Sequence, residues 1–231
     1  MPASFDGAGV AVVFGATGGI GSSLVTALEQ AGHFRSVLGF GRSTTPAIDL
    51  ADEPSLARTI EQAAAAGEIR LAIDATGWLG TQPEKSWRDL DAATLAHAFA
   101  VNAIGPALLM KHLLPRLPRR GKSAFATLSA RVGSIGDNRL GGWYAYRASK
   151  AALNQLVRTA SVELSRRAPE ALCVALHPGT VATPLSAAFT RGGPEVHAPA
   201  IAADHLLSVL DRLSASDSGG FFDWRGAPVP W

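Results

Sequence analysis

The sequence is short of cysteine and of charge. Its single cysteine, Cys173, lies inside the apolar run 171–176. No intramolecular disulfide can form, and the thiol reads as strand filler in a protein of a reducing compartment. A thiol nucleophile would need an exposed, electropositive setting, which that run does not offer. Charged residues make up 17% of the chain against 47% apolar, and the formal net charge is +2. That balance provides a packed core rather than disorder, and it excludes a nucleic-acid footprint. The one basic knot, Arg116, Arg119, Arg120 and Lys122, falls where a helix should give way to a strand and reads as a solvated loop. The six histidines are scattered, with no pair at metal-ligand spacing near an acidic residue, so no metal site is expected. No uninterrupted apolar run reaches the ~18 residues of a membrane span, and no basic segment followed by an apolar core opens the chain. A soluble, cytoplasmic protein without membrane or nucleic-acid partners is the expectation.

What is present is an alternation of short apolar runs with longer helical patterns. Strands are expected over residues 10–14, 36–40, 47–50, 69–75, 123–128, 172–177 and 220–224. Helices are expected from the glycine turn after the first strand to about residue 31, then over 54–66, across 87–117, and over 146–166 and 199–213. Pro54 suits a first helical turn, and Gly67 stops that helix. The strands are near-continuously apolar, which marks a sheet buried on both faces. Alternation with helices then implies parallel βαβ units. The expected fold is α/β, a doubly wound parallel sheet (Rossmann fold) of about seven strands. No repeat, low-complexity tract or linker interrupts residues 1–231, so one domain is expected to carry the whole site.

Two motifs bear chemistry. Gly15-Ala16-Thr17-Gly18-Gly19-Ile20-Gly21 follows the first strand directly and opens the first helix. Glycines admit unusual dihedrals and let backbone N–H groups approach a pyrophosphate, while the helix N-terminus faces that anion with roughly half a positive charge. The second motif, Tyr146-Arg147-Ala148-Ser149-Lys150, opens a helix, and four residues is just over one turn. Phenol and ammonium therefore share a face. A phenol titrates near pH ~10, and an adjacent cation is expected to lower that value and make the tyrosine a usable acid or base.

Loop, pair and their separation resemble the short-chain dehydrogenase/reductase superfamily over essentially the whole chain. Residues 131–138 and 142–150 resemble its C-factor-like branch. The resemblance implies that Tyr146 donates or accepts the proton and that Lys150 binds the nicotinamide ribose while lowering the tyrosine pKa. It implies that Asn102 holds a water of the proton relay; a helix-kink hydrogen bond is the structural alternative for this residue. Gly15, Thr17, Gly18, Gly19, Ile20 and Gly21 would hold the pyrophosphate, Asp49 and Leu50 would meet the adenine, and Ala75, Thr76 and Gly77 would pack beneath it. Pro178, Gly179, Val181 and Thr183 would clasp the nicotinamide amide. The second strand ends in Gly41-Arg42-Ser43, with no carboxylate for ribose hydroxyls and an arginine suited to a 2′-phosphate. NADP(H) is therefore favoured over NAD(H), although Gly18 stands where many NADP-dependent relatives place a basic residue.

Three departures from the family pattern stand out. Phe14 replaces a threonine ahead of the loop. Asp74-Ala75-Thr76-Gly77 replaces two asparagines, alanine and glycine. Ala130 occupies the place of the catalytic serine. Ser129 is the first candidate to stand in for that serine, with Ser134, or no hydroxyl at all, left open. The resemblance implies an oxidoreductase that moves a hydride between nicotinamide and a carbonyl or alcohol substrate. The alternative is a nucleotide-binding signalling or regulatory protein with weak or no catalysis. Trp78, Leu79, Trp143, Tyr144 and residues 185–189 are expected to line the substrate end. A homodimer or homotetramer, built through the Asn102 and Tyr146 helices and the last strand, is the implied assembly.

Overall fold

The computed structural model describes residues 3–80, 82–186 and 196–231. Its strands are β1 (Val10–Phe14), β2 (Ser36–Phe40), β3 (Ile69–Asp74), β4 (Ser123–Leu128), β5 (Ala171–His177), β6 (Thr180–Val181), β7 (Val196–His197) and β8 (Phe221–Asp223). Six of them form one parallel sheet in the order β2-β1-β3-β4-β5-β8, and β6 pairs with β7 apart from it. The helices are α1 (Gly19–Ala31), α2 (Glu53–Ala66), α3 (Ala92–Phe99), α4 (Gly105–Leu113), α5 (Tyr144–Arg167) and α6 (Pro199–Arg212).

Two-residue periodicity sorts each buried strand between two apolar layers. Along β1, Val10, Val12 and Phe14 pack with Leu56 and Ile60 of α2, Leu109 and Leu113 of α4, and Leu153 and Val157 of α5. Ala11 and Val13 face the other way, toward Leu24 and Leu28 of α1 and Leu206 and Leu210 of α6. Every residue of β1, β3 and β4 is buried, which is the double coverage that their unbroken apolar composition requires.

The expected short strand at 47–50 does not form. Thr44 Oγ1 accepts from Gly41 N (2.9 Å) and donates to Pro46 O (2.7 Å). Ile48 N donates back to Gly41 O (3.1 Å), and the Ile48 side chain is buried. The segment thus satisfies its backbone locally, and β2 remains the edge of a six-stranded sheet. At the other edge the chain folds back on β8: Phe222 bridges Pro228 antiparallel, and Val229 N donates to Phe221 O (2.8 Å).

The long helical pattern across 87–117 is divided. A π turn, Ala100–Ile104, joins α3 to α4, and Gly105 N–H reaches back five residues to Ala100 O. Pro106 has no N–H to give to residue 102, so the regular ladder cannot continue there. The stretch Ala92–Arg116 is long and apolar enough by composition to cross a bilayer, but here it packs along α2 and α5.

Candidate active site

The glycine loop is held from both sides. Gly15 has φ +81°, and Phe40 O accepts from Gly15 N and Ala16 N (2.7 and 3.0 Å). A Cβ on Gly21 would lie 2.1 Å from Gly15 O, so only glycine closes this turn. Gly18 caps α1 without a side-chain bond, which leaves the first N–H groups of the helix directed into the loop. Ala75 N donates to Phe14 O (2.8 Å), placing residues 75 and 76 directly behind Gly15. Thr17 packs on Gly41, its Oγ1 2.6 Å from the Cβ position there. Beside it Arg42 is exposed and makes no ion pair among the described residues. Asp49 is also exposed and accepts from Ala51 N (2.9 Å), while Leu50 packs on Gly105.

From the C-terminal end of β5, the segment that follows Pro178 returns to the same loop. Gly179 has φ +80° and lies against Trp224 and His197. Thr183 Cγ2 stands 2.8 Å from the Cβ position of Gly19. Ser186 Oγ donates a short bond to Val181 O and accepts from Thr183 N (3.2 Å). Val181 and Thr183 are thereby fixed at the mouth of the glycine loop.

The tyrosine–lysine pair lies across β4. Lys150 is 2% exposed, and its Nζ donates to Leu128 O (2.7 Å) and stands 5.9 Å from the centroid of the Tyr146 ring. Burial pulls the lysine down to about 8, with Asp74 opposing. Burial pushes Tyr146 up to about 12. The expected lowering of the tyrosine by its neighbour is therefore not what this geometry produces. The ammonium is committed to a carbonyl and faces the ring, so desolvation of the phenolate decides. The phenol oxygen itself has no hydrogen-bond partner among the described residues.

Asn102 sits in the π turn, fully buried. Its Nδ2 donates to Trp78 O (2.7 Å) and Ser149 Oγ (3.0 Å), and its Oδ1 accepts from Trp78 N (2.8 Å). It ties the loop after β3 to α5. Asn102 Oδ1 and Lys150 Nζ both lie 3.7 Å from the Cβ position of Gly77, so Gly77 opens the space between them.

Ala130 is extended, with φ −144°. Ser129 Oγ donates to Asn154 Oδ1 (2.7 Å), and Ser134 Oγ accepts from Asp137 N (3.1 Å). Both nearby hydroxyls thus have protein partners. Sequence reasoning misses Asn154, yet residues 146, 150 and 154 are successive members of one i, i+4 row, the signal that singles out the first two. Trp78 packs edge-on to His97 (4.7 Å) and Trp143 to Tyr146 (6.3 Å). Leu79 is buried. Leu185 is exposed, and residues 187–189 of the expected substrate lining lie outside the described residues.

Comparison with known proteins agrees with this arrangement. A family model described as enoyl-(acyl carrier protein) reductase matches residues 7–209. The C-signal protein of Myxococcus xanthus is 41% identical over 145 residues, covering 62% of this chain and 82% of that protein. A 1-hydroxy-2-glutathionyl-2-methyl-3-butene dehydrogenase of Rhodococcus is 35% identical over 142 residues, covering 62% of this chain and 61% of that enzyme. Among solved structures, an NADPH-bound carbonyl reductase from chicken fatty liver superposes with a TM-score of 0.84 at 26% identity, covering 97% of this chain and 94% of the other. A carbonyl reductase of Pseudomonas aeruginosa does so at 0.77 and 27% identity, covering 96% and 100%. With the glycine loop, the parallel sheet and the tyrosine–lysine helix in one continuous match, the chain belongs to the short-chain dehydrogenase/reductase family.

Proposed function

We propose that this protein is an NADP(H)-dependent carbonyl reductase, or the alcohol dehydrogenase running in reverse, with Tyr146 as its acid–base. The observation that carries this reading is a buried Lys150 beside a half-buried Tyr146 whose phenol oxygen has no hydrogen-bond partner among the described residues, next to a glycine loop that only glycine can close. The residues fit a phosphorylated dinucleotide. The α1 N-terminus lacks a side-chain cap, Gly21 leaves a cradle that a Cβ would fill, and Arg42 is exposed beside Thr17 with no ion pair among the described residues. Gly15 to Gly21 would hold the pyrophosphate, Arg42 the 2′-phosphate, and Val181 and Thr183 the nicotinamide amide. Asp49, Leu50, Ala75, Thr76 and Gly77 would flank the adenosine. Bound there, the nicotinamide supplies or accepts the hydride.

The protein's own part is proton transfer and positioning. A phenol held above its ordinary pKa is fully protonated at neutral pH and can donate to a developing alkoxide. Lys150 would bind the ribose and carry charge near that phenol. Asn102 holds the loop and helix together around Gly77. A small carbonyl or alcohol would enter beside Trp78, Trp143 and Tyr144. The apolar groove between α4 and α5, formed by Met110, Leu114, Leu156 and Ala160 with Lys111, Glu163 and Arg167 at its rim, suits a second copy of the chain. A homodimer or homotetramer in the cytoplasm completes the reading.

The test is purified protein assayed for NADPH binding by fluorescence and for turnover on a panel of aliphatic and aromatic carbonyls. NADPH should bind at least tenfold tighter than NADH, Arg42→Asp should remove that preference, and Tyr146→Phe should abolish turnover while binding persists, as for a lost general acid worth 10²–10⁴. Tight NADPH binding with no Tyr146-dependent turnover would instead favour a nucleotide-binding signalling role. Ala130 and the similarity to C-signal keep that second reading in view.

A further inference from the structure

Asp74 is a buried acid that the proposed chemistry does not use. It ends β3, is fully buried, and stands in register with Phe14 of β1 and Thr127 of β4. Those pairings turn it to the sheet face covered by α2, α4 and α5, since Phe14 packs in that layer. Three donors converge on its carboxylate: Thr127 Oγ1 on Oδ2 (2.7 Å), and Thr76 N and Oγ1 on Oδ1 (3.0 and 2.5 Å). The Thr76 amide can only donate, and with both hydroxyls donating the group is satisfied as a carboxylate; burial raises its pKa against that charge, so a cation nearby is what favours the anion.

Lys150 is the complementary case. It is a buried cation whose one hydrogen bond among the described residues, to Leu128 O, satisfies the group without neutralising it. Thr127, which holds Asp74, and Leu128, which holds Lys150, are consecutive residues at the end of β4. The two isolated buried charges therefore flank one strand terminus, and in a medium of low dielectric they attract without touching. Burial opposes both charges, raising the Asp74 carboxyl and lowering the Lys150 ammonium, and the attraction between the two counters it on each side. Around them β1 presents Phe14, β4 presents Thr127, the π turn presents Asn102, and α5 presents Tyr146. Tyr146 is the other titratable group of this set, and it stays neutral far above physiological pH.

We propose that Asp74 is the buried counter-charge of Lys150, a positioning residue that keeps the lysine protonated while Tyr146 exchanges its proton with substrate. The role in catalysis rests on the reductase reading above; the pairing of the two charges does not. The family pattern places an asparagine at this position, a neutral amide of the same size, so this chain carries an acid where that pattern has none. An acid that merely braced the strand ends could be replaced by that amide with no effect on Lys150.

The test is the titration of Lys150 in protein labelled with ¹³C at lysine Cε. The chain has four lysines, Lys85, Lys111, Lys122 and Lys150, and Lys150→Arg assigns the resonance. In Asp74→Asn the Lys150 midpoint should fall by about one pH unit or more, with the other three unmoved. The alkaline limb of the pH–rate profile for reduction should move down with it, lowering kcat at pH 8 while KM for the carbonyl stays within about twofold. Thr127→Val, which removes one donor to the anion, should shift Lys150 in the same direction by less, and it serves if Asp74→Asn does not fold. An unmoved Lys150 midpoint overturns the pairing, whatever the activity. A midpoint that moves in a protein without reductase activity sustains the pairing and removes only its catalytic purpose.

Discussion

In the proposed reaction, Ala130 would place one methyl group where the family's serine would hydrogen-bond the substrate oxygen. The two nearest serines are already engaged, Ser129 with Asn154 Oδ1 and Ser134 with the Asp137 amide. Recruiting Ser129 would leave the buried Asn154 Oδ1 unsatisfied, at a cost of about 1–3 kcal/mol. The developing charge on a reduced carbonyl would then rely on Tyr146 alone. Removing one comparable donor from other active sites costs about 10²–10³ in kcat. Ala130→Ser should therefore raise kcat for carbonyl reduction by about 10²-fold, with NADPH affinity unchanged. Stopped-flow absorbance at the nicotinamide band measures it, and a kcat that does not rise would mean that the missing hydroxyl limits nothing. Ala130 is legible in the amino-acid sequence because it departs from a motif. The commitments of Ser129 and Ser134 are not, since they depend on a helix and a turn that fold against them.

Elements differ in how far their local sequence determines them. The strand, glycine turn and helix spanning β1 to α1 are readable because every signal lies within about twenty residues and each has a mechanism. Residues 47–50 mislead because four residues after a proline give no pairing information, and Thr44 and Gly41 satisfy the backbone without a strand partner. The π turn at 100–104 is hidden in an apolar helical period, and Pro106 is its one visible sign. Asp74 and Asn154 become meaningful only when β3, β4 and α5 converge, so their burial lies beyond sequence reasoning. The two ends of α1 make a sharp comparison. Gly21 must stay glycine because a Cβ would meet Gly15 O at 2.1 Å, whereas the Cβ position at Gly32, with φ +59°, has nothing within 4 Å. Gly32→Ala should cost only the left-handed strain, about 1–2 kcal/mol. Gly21→Ala must displace backbone, so it should cost more in urea unfolding and also weaken NADPH binding at least tenfold, by distorting the phosphate cradle. Equal losses for the two variants, with binding intact in both, would show that the turn yields easily.

At the scale of the whole molecule, the C-terminal ends of the parallel strands collect the groups of the candidate site. The glycine loop leaves β1, Asp74 ends β3, Ala130 follows β4 and His177 ends β5. Ligands in open α/β sheets bind at this edge, and it also concentrates buried titratable groups there. His177 carries the clearest consequence for stability. Its Nδ1 is buried with no partner among the described residues. It lies in register with Asp223 on β8, and Arg131 faces the same corner through an ion pair to Asp223 (3.6 Å). Burial, with the arginine adding to it, holds the imidazole down to about 4 from an ordinary 6.5, against the pull of Asp223. Between those two values the unfolded chain binds a proton that the folded protein does not, so stability rises with pH through that window and is lost on acidification from 6.5 toward 4. The contribution cannot exceed ~1.4 kcal/mol per pH unit. His177→Gln should flatten this part of the stability curve, relative to the parent, in urea midpoints taken at pH 7, 6 and 5. Parallel curves for the two proteins would place the acid sensitivity elsewhere, and a steeper curve in the variant would mean that the imidazole is charged in the folded protein after all, paired with Asp223 rather than buried neutral beside it.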